Sequence, residues 1–206
     1  MQLDETARRV IDQFLQARLH SAQASLEGAR QIEDGVLSVD ATRSFMNVAD
    51  LLRRWHDLEQ MPTPTREHRG KLLMQYLQGS SQFVLNRQKK LPLLLGDELA
   101  QTRLITDLWK EFFFTIKLIP VRISQRGDRL ALRFDYKRLP PAYHQAFSLK
   151  NSTSWLLSNL TLQNLTAWLW QQELLQAGIR PSAITTQPQR FSLNFTVITQ
   201  LTLPLE

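Results

Sequence analysis

The sequence contains no cysteine, which excludes disulfide bonds and thiol chemistry. Its seven glycines are scattered, and it has no P-loop, dinucleotide fingerprint or serine nucleophile elbow. No run approaches the roughly 18 consecutive apolar residues of a membrane helix, and the start MQLDETARRV is too polar for a signal peptide. We therefore expect a cytoplasmic protein without a membrane span.

The titratable residues show none of the spacings that are typical of catalytic or metal sites. His20, His56, His68 and His144 lack a second ligand at the i, i+4 spacing of zinc proteases, and we interpret them as surface histidines. Paired acids stand at predicted helix ends, where they serve capping or solubility. We therefore predict a protein that is not an enzyme and binds no cofactor or metal, with an active site assembled from distant residues left open.

The composition is that of a folded protein whose positive charge is local. Hydrophobic residues make up 43% of the 206 residues and charged residues 21%, both near the averages for globular proteins. Residues 61–138 contain 15 Lys and Arg against 7 Asp and Glu, whereas residues 1–60 contain 7 against 10. The net charge of +6 therefore arises in the middle of the chain, where it can attract phosphates, anionic lipid or an acidic protein.

The first 118 residues have the three- and four-residue apolar spacing of amphipathic helices. A long helix is predicted over residues 3–32, and Asp34-Gly35 separates it from a second helix that ends before the proline-containing connector at 61–65. A third helix follows, with Gly79 at an interruption that is either a kink or a break, and a fourth starts near Asp97. We expect about four helices, the first two as an antiparallel hairpin.

From residue 119 the apolar residues alternate with polar ones. This pattern predicts a β-hairpin with its turn at 125–128, and a later strand with one buried face and one face rich in hydroxyl and amide groups. The later strand alternates Phe191, Leu193, Phe195 and Val197 with Ser192, Asn194 and Thr196. The fold class is therefore α+β, with a helical region at 1–118 and a small antiparallel sheet with one packed helix at 119–206, expected to form one continuous structural unit.

The stretch at 151–178 is densely apolar and carries a single charge, Glu173. On a helix it has two apolar faces, one of which can cover the sheet. The other face contains Trp170 and Leu174, and together with Trp168 these residues are a candidate partner interface. The alternative, which the pattern favours, is burial of both faces within the chain.

Two groups of basic residues are candidate phosphate contacts. One group flanks the third predicted helix, and the other lies on the predicted hairpin. Together they comprise Arg66, Arg69, Lys71, Arg87, Lys89, Lys90, Arg122, Arg126, Arg129 and Arg133. If both groups share one face, they form a basic stripe suited to phosphates; otherwise they form an ordinary solvated surface.

The function predicted from these features is that of a non-catalytic interaction subunit or adaptor of a larger assembly. Large amphipathic surfaces without catalytic motifs motivate this interpretation, and we expect a protein partner or a homo-oligomer. The alternative is a nucleic-acid-binding protein that uses the basic segment at 66–138.

Overall fold

A computed structural model describes residues 4–32, 35–60, 67–80, 83–85, 91–112, 119–135, 139–149, 152–185 and 190–197. The predicted class is confirmed: the protein is α+β, with N-terminal helices followed by sheets. In chain order the elements are α1 (Glu5–Gln31), α2 (Gly35–Gln60), β1 (Glu67–His68), α3 (Lys71–Gly79), β2 (Phe83–Leu85), β3 (Leu94–Leu95), α4 (Glu98–Phe112), β4 (Ile119–Arg126), β5 (Arg129–Asp135), α5 (Pro141–Ser148), α6 (Ser152–Ser158), α7 (Leu162–Gln176), β6 (Ile179–Ile184) and β7 (Arg190–Thr196). Among the described residues, no helix has both the length and the apolar character needed to cross a membrane.

The chain divides into two compact units. The first comprises Met1–Met61 and Thr153–Leu169, and the second comprises Pro62–Ser152 and Trp170–Glu206. Helices α3 and α4 therefore group with the strands in the second unit.

The first unit is built on the α1–α2 hairpin. Because α1 buries residues at four- and seven-residue steps, one side of it forms a continuous apolar stripe. This stripe contributes Ile11 and Leu15 to a core that includes Trp55 of α2 and Trp168 of α7, all 0% exposed. The two indole rings lie 6.0 Å apart, and the Trp55 ring N–H donates to Asp12 Oδ1 at 2.6 Å. The hairpin is thus held by apolar packing and by the hydrogen bond from Trp55 to Asp12.

The second unit contains a five-stranded sheet in the order β2-β4-β5-β7-β6. All neighbouring strands are antiparallel except β2 and β4, which pair in parallel. The predicted hairpin is β4–β5, in which Val121 lies opposite Phe134. The buried face of the sheet packs against helices. The Trp109 ring of α4 lies 4.6 Å from the Phe134 ring of β5, and the Phe147 ring of α5 lies 5.3 Å from the Phe191 ring of β7.

Strands β1 and β3 form a separate two-stranded antiparallel sheet in the same unit. The chain leaves β3 through Gly96, which has a φ of 143°. A Cβ at this position would overlap the side-chain amide of Gln101, whose Nε2 donates to the main-chain oxygens of Leu95 at 3.0 Å and Ala177 at 2.7 Å. Glycine is therefore required here both by conformation and by the close approach of Gln101.

Of the two alternatives at Gly79, the structure has the break, because Ser80 is extended and Val84 lies in strand β2. The single helix expected over residues 151–178 differs from the structure. The stretch at 151–178 forms two helices, since Thr161 caps α7 by accepting the N–H of Asn164 at its hydroxyl, 3.1 Å away.

Candidate functional site

The outer face of the five-stranded sheet carries six arginines. Directly opposite residues of antiparallel strands share a face, so the strand register assigns these side chains to rows that cross the sheet. The first row contains Arg122, Arg133, Ser192 and Ser182; the second contains Ser124, Ala131, Asn194 and Arg180; the third contains Arg126, Arg129 and Thr196. Beside the first row, Arg190 lies opposite Asp135. We call these residues the arginine face.

One carboxylate on the strands offsets part of this charge. Asp135 accepts a hydrogen bond from Arg190 Nε at 2.9 Å and lies 3.4 Å from Arg122 Nη2. Arg129 lies 3.9 Å from Asp128 of the turn, where both side chains are well exposed. In the described part of the chain, no ion pair or hydrogen bond is found for the guanidinium groups of Arg126, Arg133 and Arg180. The second and third rows therefore keep a net positive charge.

Between the arginines lies a floor of small and polar residues. Ala131 and Ser192 are 8% and 4% exposed although they are on the outer side of the sheet. Asn194 Nδ2 donates to the main-chain oxygen of Arg180 at 3.1 Å and to Ser182 Oγ at 3.2 Å. The arginine face is thus a shallow polar surface bordered by longer cationic side chains.

The sequence identified only part of this face. Four of its residues, on the hairpin, are exposed and lie together on the sheet: Arg122, Arg126, Arg129 and Arg133. Arg69 lies just before α3 and Lys71 is its first residue, and both are exposed outside the five-stranded sheet. Arg66, Arg87, Lys89 and Lys90 lie outside the described residues.

Sequence reasoning missed Arg180 and Arg190. The alternation that places Ser192 and Asn194 on the outer side of β7 reaches Arg190 when it is extended by one step. Arg180 joins the face only through the pairing of β6 with β7, which has no local signal in the sequence.

The three residues considered as a partner interface are all buried in the chain. Trp168 and Leu174 are 0% exposed, and Trp170 is 5% exposed. This position agrees with the alternative that was favoured from the sequence, in which both faces of the stretch are buried. These three side chains therefore form no exposed surface in this structure.

Helix α2 presents apolar residues on the side opposite its core residues. Val39 and Met46 are 57% and 64% exposed, and with Arg43 and Asp50 they recur at steps of four, three and four residues. We call these four residues the α2 outer face. Next to it, Arg53 binds Asp50 and Asp57, each at 2.8 Å. The hydrogen bond to Asp50, with the charge of that carboxylate, raises the pKa of Arg53 above its usual value.

The histidines occupy different environments. His20 is exposed on α1, and its Nδ1 lies 2.8 Å from the main-chain oxygen of Gln16. A carbonyl oxygen only accepts, so Nδ1 carries the proton and Nε2 of the neutral ring keeps its lone pair. The prediction of a surface histidine is wrong for His68, which lies in β1 rather than on a helix and whose side chain is 8% exposed, because it is held in a hydrogen-bonded network.

No protein-family model matches the chain, and no curated protein matches it. Among solved structures, it is similar to the histidine kinase AdeS of Acinetobacter baumannii, with a TM-score of 0.55 and 9% sequence identity. The similarity covers 88% of this chain and 98% of that one. At this level of identity the likeness concerns the fold alone.

Proposed function

We propose that the protein is a non-catalytic interaction subunit whose contact surface is the α2 outer face. The observation that carries this proposal is the exposure of Val39 and Met46 on one side of α2, while Trp55 and Leu58 are buried on another side of the same helix. Exposed apolar side chains grouped on a helix are typical of surfaces that bind a second helix.

The charges beside Met46 favour a second copy of the chain as the simplest occupant. Arg43 and Asp50 stand three residues before and four residues after Met46, so a two-fold axis near Met46 places Arg43 of one copy beside Asp50 of the other. The contact is then self-complementary, with an apolar centre and opposite charges at both ends.

The mass in solution tests this proposal. We expect light scattering coupled to size-exclusion chromatography to give a dimer whose dissociation constant rises at least about tenfold in Met46→Glu, since a charge would be buried at the contact centre. Leu99→Glu is the matched control, because Leu99 of α4 is 53% exposed and lies outside the α2 outer face. A wild-type monomer at every concentration, or equal effects of both substitutions, would contradict the proposal.

A second candidate function is phosphoryl acceptance by His20. The observation that favours it is the exposed ring of His20 with its hydrogen bond to Gln16. The similar solved structure is described as a histidine kinase, which suggested the test. In the His20 ring, Nδ1 is engaged with Gln16, which leaves Nε2 as the nucleophilic nitrogen.

Phosphoramidate provides a direct test of this second function, because attack by Nε2 on its phosphorus releases ammonia and forms a phosphohistidine. We expect acid-labile phosphate on the wild type and on His56→Gln, but not on His20→Gln; both histidines are exposed on helices of the first unit. Equal labelling of the His20 and His56 variants would contradict the assignment.

A further inference from the structure

The arginine face contains two pairs of like charges whose repulsion destabilises the folded sheet. Arg122 lies directly opposite Arg133, and Arg126 lies directly opposite Arg129. Like charges in directly opposite positions destabilise a sheet, because their Cβ atoms are only about 5 Å apart. Asp135 compensates Arg122, but the ion pair of Arg129 with Asp128 is too exposed to contribute much. An external anion between these arginines would relieve the repulsion.

The spacing of the two pairs suits an extended ligand with several charges. Arg122 and Arg126 are four residues apart on β4, which corresponds to about 14 Å along the strand. The row between them is uncharged on β4, β5 and β7, and Arg180 closes it on β6. A small single anion can engage one pair only, whereas a chain of phosphates can cross the floor and reach both pairs.

The chemistry of the face favours phosphate over carboxylate or lipid. All six cations are arginines, whose planar guanidinium groups bind phosphate oxygens in pairs. The hydroxyl groups of Ser124 and Thr196 are further donors of the kind that contact sugar and phosphate oxygens. The three rows carry no aromatic or long apolar side chain that could enter a bilayer or stack on bases. Beside them, opposite Arg190, Ile184 is a single exposed apolar residue of β6, at 46%.

We infer that the arginine face binds the phosphate backbone of nucleic acid without sequence preference. Its contacts reach phosphates and sugars rather than base edges, so both duplex and single strands are ligands. This binding is independent of the α2 contact proposed above, because it involves residues of the sheet alone.

A salt titration of binding to labelled random-sequence duplex and single-stranded DNA tests the inference. If Arg126, Arg129, Arg133 and Arg180 each neutralise one phosphate, log K for duplex falls with log salt at a slope of about −3.6. The Arg126→Gln/Arg133→Gln variant should bind at least about tenfold more weakly at low salt and have a slope of about −1.8. Unchanged thermal unfolding establishes that this variant is folded.

The matched control is Arg9→Gln/Arg103→Gln, which removes the same charge from two exposed helix positions outside the sheet. We expect it to retain the wild-type slope. Absence of binding at low salt, or equal loss of affinity in the two double variants, would overturn the inference. Equally tight binding to phosphatidylglycerol vesicles or to polyglutamate would also overturn the assignment to nucleic acid.

Discussion

His68 and Gln101 are joined by a hydrogen bond of 2.8 Å that connects strand β1 to helix α4. The main-chain N–H of Gly70 donates to His68 Nδ1 at 3.0 Å, so the proton of the neutral ring lies on Nε2 and is donated to Gln101 Oε1. Gln101 is 1% exposed and uses its two amide hydrogens for Leu95 and Ala177. The side-chain amide of Gln101 thus joins helix α4 to three other segments of the second unit, which contain His68, Leu95 and Ala177.

Removing this amide should destabilise the second unit. Gln101→Ala leaves the N–H of His68 and two main-chain oxygens without their partner, and we expect the free energy of unfolding to fall by about 3 kcal/mol. Urea titration followed by far-UV circular dichroism measures it. His56→Ala, on the exposed side of α2, should change stability by less than about 0.5 kcal/mol. Similar values for the two variants would contradict the network.

The close approach of Gln101 to Gly96 predicts a difference between two glycines with positive φ. Gly96→Ala should destabilise the protein more than Gly127→Ala, because a Cβ at Gly96 meets Gln101 whereas one at Gly127 meets no atom within 4 Å. Gly127→Ala costs about 1 kcal/mol for its left-handed backbone. Gly96→Ala adds the overlap with Gln101 to the larger strain of a backbone at a φ of 143°, so both effects increase its loss. Thermal unfolding of both variants provides the comparison, and equal losses would be inconsistent with the packing around Gly96.

The bond between Trp55 and Asp12 predicts rescue by an uncharged acceptor. Asp12→Ala leaves the Trp55 N–H unpaired in the core of the first unit and should cost about 1–3 kcal/mol. Asp12→Asn keeps a side-chain oxygen at the same place and should recover most of that loss. Chemical denaturation of both variants decides the matter: if Asn is as costly as Ala, the hydrogen bond is not what stabilises the pair.

The burial of Trp170 predicts that a charge at this position unfolds the protein. Trp170→Asp places a carboxylate at a site that is 5% exposed, and we expect the cooperative unfolding transition to be lost. Leu175→Asp, on the same helix at a site that is 39% exposed, should stay folded. If the Trp170→Asp protein stays folded, Trp170 is not essential to the core, and the sequence-based interpretation of this residue as a partner contact would be supported instead.

The regular spacing of the sequence explains which parts of the fold could be predicted. The β4–β5 hairpin has a strict alternation from Val121 to Phe134 around a turn with Gly127, so its register follows from local rules. The parallel pairing of β2 with β4 joins residues about 36 positions apart, from Phe83 to Ile119, and has no turn to indicate it.

In the candidate sites, too, local patterns predicted what contacts between distant residues later decided. The hairpin arginines were found because alternation assigns them to one face, whereas Arg180 needed the tertiary pairing of β6. His68 was misplaced because flanking charges in Glu67-His68-Arg69 indicate a surface helix, while its partner Gln101 is 33 residues away. That Met46 lies on the exposed side of α2 could be stated only once the structure had shown which side of that helix is buried.

A charge exchange on the α2 outer face tests the central claim most directly. Arg43→Glu and Asp50→Arg alone should each weaken the dimer measured by light scattering, because each places like charges side by side across the two-fold axis. The Arg43→Glu/Asp50→Arg chain restores opposite charges in both pairs across the two-fold axis and should recover most of the dimer affinity that each single variant loses. A double variant as weak as the two single variants, or singles that dimerise like the wild type, would contradict association through α2.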